Sequence, residues 1–346
     1  MTSGSVTDDN AEAALDVARR YIDVGNYGRA ADLLRTALSQ HPDDAALLAQ
    51  YARAELLLDN YDAAAHSAYA ALSRCPHDAF AMQIYALALE GQGRLPEALF
   101  MASRTVADHP HDAYAHIVYA RMLCTARQLN YALVAVNEAL RLEPTYVPAL
   151  VLRGYILHGL GQLRESTAAY RQALSLEPGN AEALHNIAVN KLSRGKFGRA
   201  LRGFLGAAAL DPAMGDLARR NIGAALAKIF KRITVLAVFL GIPVAMVGEM
   251  HSTGESTAGP RLVAGLVTTA LIVSLGWVLR VIPRRVLVSV LRQRAFVAAR
   301  LVHALLGVGA GAWATIIGGS AWMIVAGVAL VVSGLLLVRI GWMIGA

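Results

Sequence analysis

Proline recurs at Pro42, Pro76, Pro110, Pro144, Pro178 and Pro212, a constant spacing of 34 residues. A fixed period of that length is the mark of a repeat architecture, in which each unit buries its apolar face only against its neighbours. Each proline follows an apolar run and precedes turn-forming residues, as in HPDD, CPHD, HPHD, EPTY, EPGN and DPAM. It therefore closes one helix and opens the next unit. Six units follow, starting near Ala11, Ala45, Ala79, Ala113, Val147 and Ala181.

Small residues recur within each unit. The first helix carries Ala18, Ala52, Ala86, Ala120, Gly154 and Ala188. The second carries Ala30, Ala64, Ala98, Ala132, Ser166 and Ala200, then Ala37, Ala71, Thr105, Ala139, Ala173 and Ala207. A bulky side chain there would hold two helices apart, so these positions mark close crossings. Larger side chains such as Tyr21, Leu34, Tyr85, Val136, Tyr170 and Phe204 fill the space between them.

The pattern resembles the tetratricopeptide-repeat (TPR) family, most closely in ALVLRGYILHGLGQLRESTAAYRQALSLEP and ALHNIAVNKLSRGKFGRALRGFLGAAALDP. The resemblance spans residues 11–214 and implies an all-α, right-handed superhelical solenoid of helix pairs. Its concave face, lined by the first helices, would accept a peptide or a partner helix. Such arrays end in a capping helix, and residues 215–232 fit that role. Ala225, Leu226, Ile229 and Phe230 run directly into an apolar segment, so cap and membrane entry are expected to form one helix. Residues 1–10 (MTSGSVTDDN) are polar and are expected to be disordered rather than a secretory signal.

Helical spacing nominates residues for the concave face. Arg19, Arg53 and Arg121 occupy equivalent positions, with Leu87 in the third place. A ladder of guanidinium groups at that pitch can hold acidic side chains or a carboxylate. It can equally be an ordinary solvated face neutralised by Asp16, Asp23 and Glu55. Gln83, Ile84, Leu87, Ile117, Val151 and Tyr155 form an apolar stretch farther along, part of which is also readable as inter-helix core. Family members that hold chaperone C-termini use a lysine and asparagine clamp. The corresponding sites here read Leu15, Ala49, Gln83, Ile117, Val151 and His185, so that role is not implied, and His185 remains a groove candidate.

Cys75 and Cys124 form no CxxC pair and are expected to be reduced packing residues. Cys75, His77, His109 and His111 lie in successive turns, which raises a zinc site. Turns one repeat apart are separated by roughly 10 Å, so solvated polar turns account for them more simply. No metal and no cofactor are expected.

Hydrophobic residues make up 56% of the chain, with the excess toward the C-terminus. Four apolar segments, at about 233–248, 262–279, 301–318 and 321–338, approach the length needed to span a bilayer. The first contains Pro243; the last runs between Trp322 and Trp342, which suit two interfacial anchors. Gly307 and Gly311 on one span, and Gly327, Gly334 and Gly341 on another, form ridges for close helix packing, either inside the bundle or against a partner's helices. The segment PRRVLVSVLRQRAFVAAR places Arg284, Arg285, Arg292 and Arg294 at the inner lipid interface, or in a plain positive-inside loop. His303 and Arg339 are expected to snorkel to that interface.

Cations flank the inner ends of the spans, and the loop EMHSTGESTAGP has none. Both termini are therefore expected on the cytoplasmic side of a plasma membrane. Arginine outnumbers lysine and alanine is abundant, a coding bias that fits a bacterium, hence an inner membrane. Residues 1–214 hold 19 Lys/Arg against 22 Asp/Glu, so the net charge of +7 does not mark a nucleic-acid surface.

The spans contain no HExxH, GxSxG or P-loop motif and no buried acid–base pair, so no enzyme activity is expected. These readings describe a membrane-anchored scaffold or accessory subunit that recruits a cytoplasmic protein to a membrane complex. Protein partners, membrane lipids and a possible homo-oligomer are its expected contacts. The alternative is a transport or catalytic bundle regulated by the repeat array.

Overall fold

The computed structural model describes residues 3–343, and among them every regular element is helical. The chain divides into two compact units, Met1–Pro178 and Gly179–Ala346.

The first unit consists of five helix pairs: α1 (Ser3–Asp23) with α2 (Tyr27–Gln40), α3 (Ala45–Leu57) with α4 (Tyr61–Arg74), α5 (Ala79–Gly91) with α6 (Leu95–Asp108), α7 (Ala113–Thr125) with α8 (Leu129–Leu142), and α9 (Val147–Gly159) with α10 (Leu163–Leu176). Helix α1 begins at Ser3, so residues 3–10, expected to be disordered, extend the first helix instead. Ala11, Leu15, Ala18 and Ile22 are buried along its inner side.

Proline ends the second helix of each pair through the residue before it. His41, Cys75, His109, Glu143 and Glu177 have φ between −125° and −129°, because a following proline excludes the helical conformation. Two residues after the proline, Asp44, Asp78 and Asp112 accept hydrogen bonds from the first backbone N–H groups of α3, α5 and α7. These caps satisfy donors that the helix itself leaves open. The fifth repeat has Tyr146 there, with no side-chain cap. The turn inside each pair has its own period: Gly25, Asp59, Gly93, Arg127 and Gly161 have φ between 60° and 77°. The left-handed conformation reverses the chain over two residues and recurs every 34.

The small residues lie where pairs cross. Ala52, Ala86 and Ala120 of the first helices are fully buried, as are Ala64, Ala98 and Ala132 of the second. In the fifth pair Ser166 Oγ donates to Gly154 O at 2.6 Å, so the two small positions touch directly.

The second unit starts with the sixth pair, α11 (Ala181–Ser193) and α12 (Phe197–Leu210), followed by α13 (Gly215–Thr253), α14 (Ala258–Val281), α15 (Arg284–Gln293), α16 (Ala295–Ile316) and α17 (Trp322–Met343). The cap and the first apolar segment are one helix of 39 residues, with Pro243 inside it. At 1.5 Å per residue α13 is about 58 Å long, far more than the roughly 30 Å of a hydrocarbon core. Helices α13, α14, α16 and α17 are each long and apolar enough to cross a membrane. One hydrophobic core joins Leu201 and Phe204 of α12 to Ile222 and Phe230 of α13 and on to Leu240, Leu271 and Ala304.

Glycine sets the helix spacing in this core. A Cβ on Gly327 would collide with the Gly241 carbonyl and with Ala245, and one on Gly334 with Val238, so α17 lies directly on the α13 backbone. Gly307 and Gly311 of α16 face Leu240 and, respectively, Leu271 and Thr268. Gly341 is buried as well. His303 does not snorkel: it is buried and shares a 3.2 Å hydrogen bond with Ser333 Oγ of α17 through Nδ1. The polar partner one helix away outweighs a reach to the interface.

The charge boundary coincides with the boundary between units. Residues 1–178 hold 14 Lys/Arg against 20 Asp/Glu, and residues 179–346 hold 18 against 5.

Candidate protein-binding groove

The first helices of the second, third and fourth pairs, together with Asp59 of the intervening turn and Tyr61 of α4, line a cavity of about 450 Å³. Ile84 and Leu87 of α5 form its apolar floor, Tyr114 of α7 stands at its wall, and the guanidinium groups of Arg53 and Arg121 flank it. Four groove residues nominated by spacing, Arg53, Ile84, Leu87 and Arg121, thus meet around one space.

The two arginines are not equivalent. Arg121 Nη2 is 2.8 Å from Glu90 Oε2, and Thr125 Oγ1 donates to the other Glu90 oxygen at 2.8 Å. Arg121 is therefore oriented and neutralised. Arg53 makes no ion pair among the described residues. Glu55, a proposed neutraliser of the ladder, accepts instead from Arg35 Nη2 at 3.4 Å and from Asn60 Nδ2 at 2.7 Å. Arg19 lies outside the cavity and pairs with Asp16 at 3.3 Å on an exposed surface.

Other nominated residues have different roles. Gln83 is only 4% exposed, and its Nε2 donates to Asp112 Oδ2 at 2.6 Å. Its amide ties α5 to the next cap rather than facing a ligand. Ile117 and Val151 are buried between helices, whereas Tyr155 is 54% exposed. His185 belongs to the second unit and is 3% exposed. Asn221 Nδ2 of α13 donates to its Nε2 at 2.8 Å, and its ring packs 5.1 Å from that of Phe204. It is not a groove residue, because α13 covers the last helix pair. Burial pushes its pKa down.

Tyr114 and Glu90 were missed by the sequence reading. Tyr114 lies seven residues before Arg121, two helical turns on the same face, and that spacing would have found it.

The turn histidines satisfy one another's turns. His77 Nδ1 lies 3.0 Å from Asp108 Oδ2, and His109 Nε2 donates to His77 O at 2.8 Å. Among the described residues no three His, Cys, Asp or Glu side chains gather as a metal set. Cys75 is exposed at the end of α4 rather than packed, since the helix stops there ahead of Pro76. Cys124 is half-buried, and burial pushes its thiol up to about 11.

The arginines of α15 divide as well. Leu287 and Val290 are buried, while Arg284, Arg285 and Arg292 are exposed. Arg294 Nη2 donates to Arg220 O of α13 at 3.4 Å.

Tetratricopeptide-repeat models match residues 21–67 and 147–180. Comparison with curated protein sequences returns no match. Among solved structures, the APC/C heterotetramer Cut9–Hcn1 is similar at TM-score 0.55 and 16% identity, over 62% of this chain and 44% of that one. PilW, a widely conserved type IV pilus biogenesis factor, is similar at 0.52 and 20%, over 58% and 94%. PilF of Pseudomonas aeruginosa is similar at 0.52 and 19%, over 63% and 98%. At these identities the likeness is one of fold. The chain thus contains tetratricopeptide repeats, and its helix pairs are followed by four helices long and apolar enough to cross a membrane.

Proposed function

We propose that this protein is a membrane-anchored scaffold that binds a partner protein in the groove of its second to fourth repeats and holds it at the cytoplasmic face of a membrane. The observation that carries this reading is the cavity itself. An apolar floor of Ile84 and Leu87, an aromatic wall at Tyr114 and the cation of Arg53, which makes no ion pair among the described residues, together suit an apolar side chain flanked by a carboxylate. The bundle of α13 to α17 serves as the anchor, with both termini inside because Lys228, Lys231, Arg232, Arg280, Arg284 and Arg285 cluster at one end of the spans. Lipid contact through the α15 arginines and self-association belong to the same reading. PilW is described as a pilus biogenesis factor, which accords with a repeat protein serving a larger assembly.

The test is site-specific photo-crosslinking in native membranes, with the probe at Tyr114 in the groove or at the exposed Phe100 of α6. A defined protein captured from Tyr114, absent from Phe100 and lost on Arg53→Glu, supports the reading. Equal capture at both positions, or capture indifferent to Arg53→Glu, refutes it.

A further inference from the structure

We infer that the second unit holds an anionic phospholipid in a cleft between the sixth helix pair and the first two membrane helices. The inference rests on the reading of α13 to α17 as a bilayer-spanning bundle. Two cavities share Phe197 and Arg232 as a common wall. One, of about 330 Å³, is also lined by Ile229, Ile233, Val273, Ser274 and Trp277, and is mostly apolar. The other, of about 440 Å³, is lined by Lys228, Lys231 and Val235. The Arg232 guanidinium lies 4.7 Å from the centre of the Phe197 ring, which holds it between the two.

The arrangement matches a phospholipid in both charge and order. On α13 the cations Lys228, Lys231 and Arg232 come first, and Ile233 and Val235 follow toward the span. On α14, running the opposite way, Val273 and Ser274 precede Trp277, an aromatic residue suited to the headgroup level. A phosphate at the three cations therefore places an acyl chain along Ile233, Val273 and the Trp277 ring. The Trp277 ring also abuts Gly198, where any Cβ would strike it, so α12 begins against the membrane helix and closes the cleft from the cytoplasmic side.

The segments that carry these cations are poor in acids. Neither residues 183–210 nor residues 217–248 contain Asp or Glu, and none follows Glu255. Lys228, Lys231 and Arg232 make no ion pair among the described residues. Uncompensated cations at the inner surface attract anionic lipid at about fivefold in affinity each.

Full-length protein in mild detergent is titrated with phosphatidylglycerol or phosphatidylcholine and followed by native mass spectrometry. The wild type is expected to retain one phosphatidylglycerol in preference to phosphatidylcholine. Lys228→Gln/Lys231→Gln/Arg232→Gln should weaken that retention roughly a hundredfold. Arg164→Gln/Arg171→Gln, which removes two exposed cations of α10, outside the apolar helices, should leave it unchanged. Phe197→Leu, which keeps the packing but frees Arg232, should weaken it several-fold. Equal retention of both lipids, loss in the Arg164/Arg171 variant, or displacement by inorganic phosphate at equal concentration overturns the assignment. Failure of the membrane reading shows separately, as full-length chain released from membranes by carbonate washing.

Discussion

The ring of Tyr170 in α10 lies against the backbone of Gly154 in α9, so close that a Cβ on Gly154 would stand 2.5 Å from Tyr170 Cε1. Tyr170 is almost fully buried, so the ring has no route of escape. Alanine raises helix propensity over glycine by about 1 kcal/mol, but overpacking a core costs about 1–3 kcal/mol. Overpacking wins here because the colliding atoms belong to a rigid ring. Gly154→Ala is expected to lower the urea midpoint of helical unfolding of the full-length chain in detergent. Tyr170→Leu in the same background should recover part of that loss, and a midpoint raised by Gly154→Ala alone would contradict this account of the contact.

A second expectation concerns Arg127, which holds φ at 60° where the equivalent turns at Gly25, Gly93 and Gly161 have glycine. A residue with a Cβ is disfavoured in that conformation by about 1–2 kcal/mol. Arg127→Gly is therefore expected to stabilise the first unit by about 1 kcal/mol, measured as a shift in the same urea transition. Arg127 is exposed, so little packing is lost. Gly93→Ala should act in the opposite direction by a similar amount.

The proline period and the buried small residues were legible because each has a local steric cause that one residue type satisfies. The left-handed turn has the same period, but Asp59 and Arg127 interrupt its glycine signal. Gln83 and His185 were misread for a different reason. Equivalence within a repeat says which way a side chain points, not what covers it. The partner of Gln83 is a cap 29 residues later, and His185 lies in the pair that α13 covers. The boundary at Pro178 was hidden because the period runs through it unbroken, while the shared core of the sixth pair and the apolar helices is a tertiary fact.

The two cysteines should differ in reactivity. Burial pushes the Cys124 thiol up to about 11, and Cys75 is exposed. At pH 8 a thiol of that pKa is only ~0.1% thiolate, the nucleophilic form. Brief treatment with iodoacetamide at pH 8 is expected to label Cys75 and spare Cys124, as read by peptide mass spectrometry. Labelling of Cys124 should rise with pH. Equal labelling of both at pH 8 would show that the fourth repeat opens on the timescale of the reaction.

The junction between the last helix pair and α13 should weaken in acid. His185 accepts a hydrogen bond from Asn221 Nδ2 at Nε2, which requires the neutral ring, and burial holds its pKa below the ordinary value of 6.5. In the window between the lowered folded pKa and 6.5 the unfolded chain binds more protons than the folded one, so stability falls as pH falls. The contribution is complete above about 6.5 and is lost as pH drops toward the folded value. Replacing His185 by glutamine removes this titration while leaving the carboxylates and His303 in place. The difference in melting temperature between wild type and His185→Gln, measured in detergent, is therefore expected to shrink from pH 7.5 to pH 5. A difference that stays constant over that range would mean that the His185–Asn221 contact survives protonation, with the Asn221 amide turned to accept from the ring instead.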